Sequence, residues 1–308
     1  MNTVAYQRLV RLQAGVISRR QLHGVGVSAA DLKRLVRRRD LTRVHSGVFV
    51  THTGQLSLLQ QQWAALMALW PAALAAGSAI DLPPDRPIHV AVDWSRRVQD
   101  PPGVRVHRLT GFEAKVAWAT DPPRVRAEEA ALDVAQALLV RGDPAAAFAA
   151  LAKARERTTT GRIVAALGER PKVRQRPTLT AMVDDLANGT HSVLERGYLT
   201  HVALPHGLPA ATRQARSTAT GRGTRHDLRY DDFGLVVELD GLAFHTSARA
   251  RNVDADRDLA NLAVRGDVTI RLTYDLVFRR SCTTAGRIGR VLQRHGWTGV
   301  PLRCDACR

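Results

Sequence analysis

The segment RHDLRYDDFGLVVELDG, residues 225–241, decides how the C-terminal part of the chain folds. Its run LVVEL has four apolar residues around one acid, which is typical of a strand buried on both faces of a sheet. The preceding RHDLRY ends at the turn-forming pair Asp231 and Asp232, so we expect a second strand that pairs with the first in a tight hairpin. The hairpin would bring Asp227 alongside Glu238.

An acid inside an apolar strand requires a physical reason. A buried carboxylate without a partner is costly unless it binds a cation or becomes protonated. Two convergent carboxylates make a hard oxygen site that suits Mg²⁺ or Mn²⁺, so Asp227 and Glu238 are predicted metal ligands. The alternative is structural: the DG pair after the strand closes a turn, and Asp227 pairs with Arg225 or Arg229.

Patterns on both sides of the hairpin complete a domain. The stretch HSVLERGYLTHVAL, residues 191–204, predicts a helix with an apolar stripe and Glu195 beside it. Residues 256–267 predict a second helix, and residues 268–277 a closing strand. The order between residues 190 and 280 is therefore helix, strand, strand, helix, strand, around a mixed central sheet.

This constellation, a helical Glu ahead of Asp-x10-Glu-x-Asp-Gly and then a His, resembles the PD-(D/E)xK nuclease superfamily. More narrowly, it is similar to the DUF559 proteins, relatives of the very-short-patch repair endonuclease. The resemblance implies a restriction-endonuclease-like α/β domain that hydrolyses DNA phosphodiesters with a metal. The catalytic residues that it implies are Glu195, Asp227, Glu238, Asp240 and His245.

Within that resemblance Glu195 is the helix acid, and Asp240 stands where the superfamily places its lysine. The missing lysine would leave stabilisation of the transition-state charge to the metal, Arg251 or Arg257. His245 falls at the position of a catalytic histidine, whose ring nitrogen would accept the proton of the attacking water.

Residues 1–54 concentrate the positive charge of the chain. They carry ten Lys or Arg and two Asp, a net charge of 10 − 2 = +8. The third of three predicted short helices, AADLKRLVRRR, begins after the capping residue Ser28 and carries its basic side chains away from an apolar stripe. That stripe consists of Leu32, Leu35 and Val36, and we expect it to be buried.

A strand pair, LTRVHSGVFV, follows with a turn at Ser46 and Gly47. Three short helices and a hairpin are the order of a winged helix-turn-helix, whose third helix enters the major groove while the wing contacts the backbone. The predicted DNA-binding residues are Arg19, Arg20, Lys33, Arg34, Arg37, Arg38, Arg39 and Arg43. The alternative is a small helical domain with a solvated basic face.

The run from Gly15 to Val50 resembles the N-terminal winged-helix domain of the AbiEi family, the antitoxins of type IV toxin–antitoxin systems. The basic helix and the L-x-R-V-x-x-G-V-[FY] wing carry the similarity. It implies DNA binding, often to the protein's own promoter. It does not imply a partner toxin, since such domains head many unrelated chains.

Composition agrees with a polyanionic partner. The chain of 308 residues has 45 Lys and Arg against 28 Asp and Glu, a formal net charge of +17. Basic side chains that dock on phosphates release condensed counterions, although an arginine-rich chain is also typical of high-GC coding. No apolar run reaches the roughly 18 residues that a membrane span requires, and the first residues lack a signal peptide, so we expect a cytoplasmic protein that does not associate with a membrane.

The predicted fold class is α+β, in five segments. These are a winged helix-turn-helix (1–54), a linking α/β lobe (55–167), a linker (168–177), a nuclease-like domain (178–300) and a tail (301–308). A helix is expected over residues 56–74 of the lobe. The sequence does not determine the oligomeric state.

The three cysteines all lie near the C-terminus. A structural zinc site requires four ligands, usually from two Cys-x-x-Cys pairs, and this chain has one pair, Cys304 and Cys307. Cys282 and His295 would be needed to complete a set. We therefore expect a reduced tail and no zinc.

Two functions remain open at this point. One is a metal-dependent DNA endonuclease whose winged helix targets the cleavage domain. The other is a non-catalytic regulator of antitoxin type whose C-terminal domain keeps the nuclease fold without its chemistry.

Overall fold

A computed structural model of the chain describes residues 2–83, 87–188, 192–217, 224–240 and 248–307. Over these residues the protein has a mixed α+β fold with three sheets. Its contacts divide it into two units, Met1–Val134 with Lys153–Ala166, and Ala135–Ala152 with Leu167–Arg308. Among the described residues, none of the helices combines the length and the apolar character needed to cross a membrane.

The first unit begins with three helices and a small antiparallel sheet. In chain order they are α1 (Thr3–Leu12), β1 (Val16–Ser18), α2 (Arg19–Gly24), α3 (Ala29–Arg37), β2 (Thr42–His45) and β3 (Val48–Val50). The strand order is β1-β3-β2. The sequence prediction missed β1, because a strand of three residues is too short to show an alternating pattern. The helices cover a core that includes Ile17, Leu22, Leu32 and Phe49.

The rest of the first unit is built around a five-stranded sheet of order β6-β5-β4-β8-β7. Its elements are α4 (Leu58–Leu69), β4 (Ala73–Leu74), α5 (Ala76–Ala79), β5 (Ile88–Asp93), β6 (Val104–Leu109), α6 (Phe112–Lys115), β7 (Val116–Ala117) and β8 (Arg124–Val125). The predicted helix over residues 56–74 was too long. Ser57 and Gln60 form a capping box that fixes its start, and Pro71, which has no N–H to donate, follows its end.

The next three helices are α7 (Ala127–Val140), α8 (Pro144–Ala154) and α9 (Thr160–Glu169). Each of them contains one of the boundaries between the two units. The second unit continues with α10 (Arg176–Asn188), α11 (Ser192–Gly197), a π-helical segment (Tyr198–Ala203), β9 (Thr212–Ser217), β10 (Thr224–Tyr230), a 3₁₀ turn (Asp231–Phe233), β11 (Leu235–Leu239), α12 (Ala248–Arg265), β12 (Val268–Leu272), a second π-helical segment (Asp275–Arg279) and α13 (Ser281–Arg294).

The sheet of the second unit is mixed, with the order β12-β11-β10-β9. β11 pairs antiparallel with β10 and parallel with β12, and all five of its residues are buried, as predicted for LVVEL. The sequence prediction missed β9, because TRQARS is polar and lies at the edge of the sheet, where an apolar pattern is not required.

Gly197 ends α11 where the backbone must pass close to an aromatic ring. A Cβ at this position would overlap the ring of Phe278. We expect Gly197→Ala to lower the stability of the protein by about 1–3 kcal/mol, because the ring must move within a packed site. Thermal unfolding measures the effect.

The matched control is Gly168→Ala in α9, where an added Cβ meets no atom within 4 Å. This change should be neutral or stabilise by up to about 1 kcal/mol, since alanine is the better helix former. Equal effects of the two substitutions would contradict the close packing at Gly197.

Candidate functional site

All eight basic residues predicted to bind DNA have exposed side chains. Four of them line one cleft of about 430 Å³ between α2, α3 and the β2–β3 hairpin: Arg19, Lys33, Arg37 and Arg43. The remaining four, Arg20, Arg34, Arg38 and Arg39, do not line it. The structure therefore gathers half of the predicted set in one concave surface.

Local capping interactions hold the walls of this cleft. Ser18 caps α2 in a capping box with Gln21, and the backbone N–H of Arg19 donates to Gly47 O at 2.7 Å, which ties α2 to the hairpin turn. Ser28 caps α3 by accepting from the N–H of Asp31 at 3.1 Å. The hydrogen bond from the Ser28 hydroxyl also holds the pKa of Asp31 below its ordinary value.

The charges in the cleft are available for a ligand. Arg34 and Arg38, outside it, form ion pairs with Asp31 at 2.8 Å and Asp40 at 3.3 Å. Within the parts of the chain that the structure describes, no acidic group forms an ion pair with any of the four basic residues of the cleft. The cleft thus presents cationic groups that no described carboxylate neutralises.

The floor of the cleft is apolar, with Leu32, Val36 and Phe49. The sequence analysis was wrong to place Val36 in the buried stripe, since this side chain is 37% exposed. Leu32 alone of the stripe is fully buried, and Leu35 is partly so. Val36 therefore lies at the margin of the buried face of α3.

The carboxylate of Glu238 lies at the centre of the C-terminal sheet, 8% exposed. Its Oε1 accepts from Nδ1 of His226 on β10 at 2.7 Å and from Nη2 of Arg257 on α12 at 2.5 Å. On the neighbouring strand Arg271 stands in register with Glu238 and donates to Asp258 of α12 at 2.8 Å. Two acid–base contacts thus join the sheet to α12.

These contacts determine the charge of Glu238. Burial by itself raises the pKa of a carboxyl group, but the hydrogen bonds from His226 and Arg257 and the positive charge of Arg257 outweigh it and lower the pKa of Glu238 below its ordinary value. Glu238 is therefore a carboxylate at neutral pH in spite of its burial.

Asp227 lies on β10 next to this cluster. The pairs Leu228 with Val237 and Arg229 with Val236 define the antiparallel register of the two strands. The Oδ2 atom of Asp227 accepts from the N–H of Leu239 at 2.8 Å. The hairpin places Asp227 and Glu238 on neighbouring strands, and their convergence on one metal ion stays a prediction.

The other predicted catalytic residues are spread more widely. Glu195 accepts from Arg213 and Gln214 of β9 at 3.0 and 2.8 Å. The N–H of Asp240, directly after β11, donates to Leu272 O at 2.9 Å. His245 and the side chain of Arg251 lie outside the described residues. Arg229, considered as a partner of Asp227, pairs with Asp231 and Asp267 instead.

Sequence reasoning did not single out His226. Its ring is 1% exposed, its Nδ1 meets Glu238, and its Nε2 has no hydrogen-bond partner among the described residues. The signal was present in the RHDL motif, because a histidine next to an acid on a buried strand also requires a partner. Arg257 was singled out, and the structure places it on Glu238.

Neither a protein-family model nor a curated protein matches the sequence. Among solved structures, the chain is similar to the crystal structure of the RV2827C protein from Mycobacterium tuberculosis. The similarity has 22% sequence identity and a TM-score of 0.37, and it covers 61% of this chain and 82% of that chain. A similarity of this extent carries no information about function.

The lowered pKa of Glu238 predicts a pH dependence of stability. A carboxyl group whose pKa is lower in the folded state stabilises the fold above its unfolded pKa of roughly 4.3, and this contribution is lost as the pH falls through the folded value. Glu238→Gln should therefore destabilise the protein at pH 7, and the difference from wild type should shrink below about pH 4.5.

Thermal unfolding of both proteins between pH 7 and pH 3 measures this difference. The control is Asp232→Asn, which alters an exposed acid of the same unit and should leave stability nearly unchanged. A Glu238→Gln effect that stays constant to the lowest pH would contradict the assignment.

Proposed function

We propose that the protein binds double-stranded DNA through residues 1–54, as a winged helix-turn-helix with α3 as the recognition helix and β2–β3 as the wing. The observation that carries the proposal is the cleft lined by Arg19, Lys33, Arg37 and Arg43. The element order α1-β1-α2-α3-β2-β3 and the resemblance to AbiEi-type domains support it.

Phosphate binding follows from the chemistry of this surface. A guanidinium group forms two parallel hydrogen bonds with phosphate oxygens, and each such pairing releases a condensed counterion from the duplex. The capped helices and the bond between Arg19 and Gly47 hold the cleft walls in place before a ligand arrives, so little ordering is required on binding. With DNA as the ligand, we infer a cytoplasmic location.

We expect Arg19→Ala with Arg37→Ala to weaken duplex binding and to reduce the slope of log affinity against log salt. The reduction should be about one unit for each phosphate that the variant no longer neutralises, because fewer counterions are then released. Fluorescence anisotropy with a labelled duplex at several salt concentrations measures both quantities.

The matched control is Arg8→Ala with Arg11→Ala, which removes the same charge from exposed positions of α1 outside the cleft. It should change affinity much less. An equal loss of affinity in both double variants would mean that diffuse charge, and not the cleft, binds DNA.

For the C-terminal unit we propose a metal-dependent endonuclease site at Asp227 and Glu238. Carboxylate oxygens on neighbouring strands are the donor type that Mg²⁺ or Mn²⁺ prefers, and Asp227 accepts a backbone N–H that fixes its orientation. A bound divalent ion would activate water and polarise the phosphodiester.

The chain's own residues would complete this site. Arg257 is within hydrogen-bond distance of Glu238 and would compensate the charge that develops on the phosphate, a task that the nuclease superfamily gives to its lysine. Glu195, Asp240 and His245 keep the roles that the resemblance implies.

One observation favours the second candidate, a DNA-binding regulator without catalysis. Arg257 and His226 both contact Glu238, so the buried carboxylate is already compensated without a cation. In this case the acid and its two partners stabilise the domain, and residues 1–54 perform the function.

Asp227→Asn distinguishes the candidates. It keeps the shape of the side chain and removes a metal ligand, so nicking of a supercoiled plasmid in Mg²⁺ or Mn²⁺ should fall by orders of magnitude while duplex binding is retained. Asp232→Asn, at an exposed position in the hairpin turn, should cut like the wild type.

A wild-type protein that cuts neither plasmid nor mismatched duplex with either metal, and whose thermal stability ignores both, would reject the endonuclease. DNA binding that survives in that protein would favour the regulator.

A further inference from the structure

Four residues from distant parts of the sequence converge near the C-terminus of the chain. They are His206 after the first π-helical segment, Cys282 in the first turn of α13, and Cys304 and Cys307 in the tail. One ligand atom from each lies within 4.8 Å of the others. The imidazole in this cluster belongs to His206, and not to His295 as the sequence suggested.

Three of the six distances between the ligand atoms match the edges of a tetrahedron around one metal ion, and the other three are no longer than 4.8 Å. Cys304 Sγ lies 3.6 Å from Cys282 Sγ and 3.6 Å from Cys307 Sγ, and Cys307 Sγ lies 3.5 Å from His206 Nε2. Tetrahedral zinc, with Zn–S of about 2.3 Å and Zn–N of about 2.0 Å, requires S···S of about 3.8 Å and S···N of about 3.5 Å. A disulfide would require about 2.05 Å, so no two of these sulfurs are bonded.

The imidazole is oriented for metal binding. His206 is 1% exposed, and its Nδ1 lies 2.8 Å from Val202 O. A carbonyl oxygen only accepts, so Nδ1 carries the proton and Nε2 presents its lone pair to the three sulfurs. A backbone carbonyl of this kind is the usual outer partner of a metal-bound histidine.

The tail has little regular structure of its own to hold it in place. Residues 295–307 form no helix or strand, and Val300 and Leu302 are 66% and 59% exposed. The N–H of Leu302 donates to His206 O at 2.9 Å, which connects the tail to the rest of the unit. Within the tail, the N–H of Cys307 donates to Cys304 O at 2.9 Å and closes a turn. Few buried apolar side chains fix this segment in its position.

We propose that His206, Cys282, Cys304 and Cys307 bind one Zn²⁺ ion in a closed structural site. Three thiolates and one imidazole form a soft, tetrahedral donor set that suits zinc and excludes Mg²⁺. Because protein ligands fill all four positions, the site holds no water for catalysis. It fastens the tail to α13 and to the segment that contains His206, and it is independent of the function proposed above.

The experiment uses the full chain, produced with zinc in the medium and purified with a reductant. Elemental analysis should find about one zinc per chain, and Co²⁺ exchanged into the protein should give the intense visible bands of a tetrahedral thiolate site. A strong chelator should remove the metal and lower the thermal midpoint.

Two variants and a matched control test the ligand set. His206→Gln and Cys304→Ser should each lower the zinc content to less than about a tenth of the wild-type value after dialysis against a weak chelator. His295→Gln alters an exposed histidine just beyond α13 and should retain the metal. If the first two variants do not fold, the Co²⁺ spectrum of the wild type still tests the coordination.

Three results would overturn the proposal. One is reduced wild-type protein that holds neither zinc nor Co²⁺. The second is a disulfide among the three cysteines in protein purified with reductant. The third is loss of zinc in His295→Gln with retention in His206→Gln, which would assign the imidazole ligand to the other histidine.

Discussion

The buried carboxylate of Glu238 is the constraint on which the C-terminal unit depends. Every residue of β11 is buried between β10 and β12, so the charge of Glu238 has little access to bulk water and must be compensated inside the protein. His226 from β10 and Arg257 from α12 supply the compensation. The contact between Arg257 and Glu238 therefore joins α12 to the sheet. It also leaves two possible roles for Glu238, the acid of β11: it could bind a metal ion, or it could only stabilise the fold.

That double role is the reason why we propose two candidate functions for this site. In the proposed endonuclease, the carboxylate that Arg257 contacts would share its charge with a divalent ion, and the side chain of Arg257 is 23% exposed to solvent. The same pair is also sufficient on its own to stabilise a buried acid. The two candidate functions differ in whether Asp227 and Glu238 bind a metal ion. That difference depends on the affinity of the site for the ion and not on the fold.

The N-terminal basic surface and the cysteine cluster follow a different logic. In the cleft of Arg19, Lys33, Arg37 and Arg43, cations gather without described acidic partners, an arrangement that is stable in water and becomes favourable with a polyanion. In the cluster around His206, by contrast, three thiols and an imidazole meet where the backbone has little apolar support, an arrangement that a soft cation would stabilise.

The sequence by itself determined the features that depend on neighbouring residues. These include the cap of Ser28, the hairpin turn at Asp231, and the burial of LVVEL, because hydrogen bonds within one turn and the apolar pattern along one strand are local. The order of local helix and strand patterns likewise predicted an α+β chain, and the count of charged residues predicted a strongly basic first segment.

Tertiary structure alone decided which distant side chains meet. The edge strand β9, the partners of Glu238 and the presence of His206 in place of His295 in the cysteine cluster all depend on packing between segments far apart in sequence. No local pattern encodes the distance from a histidine at 206 to a cysteine at 307, because that distance is set by how α13 and the tail pack. The apolar period of a sequence shows which face of a helix or strand is buried, whereas the segment that packs against this face is determined by the whole fold.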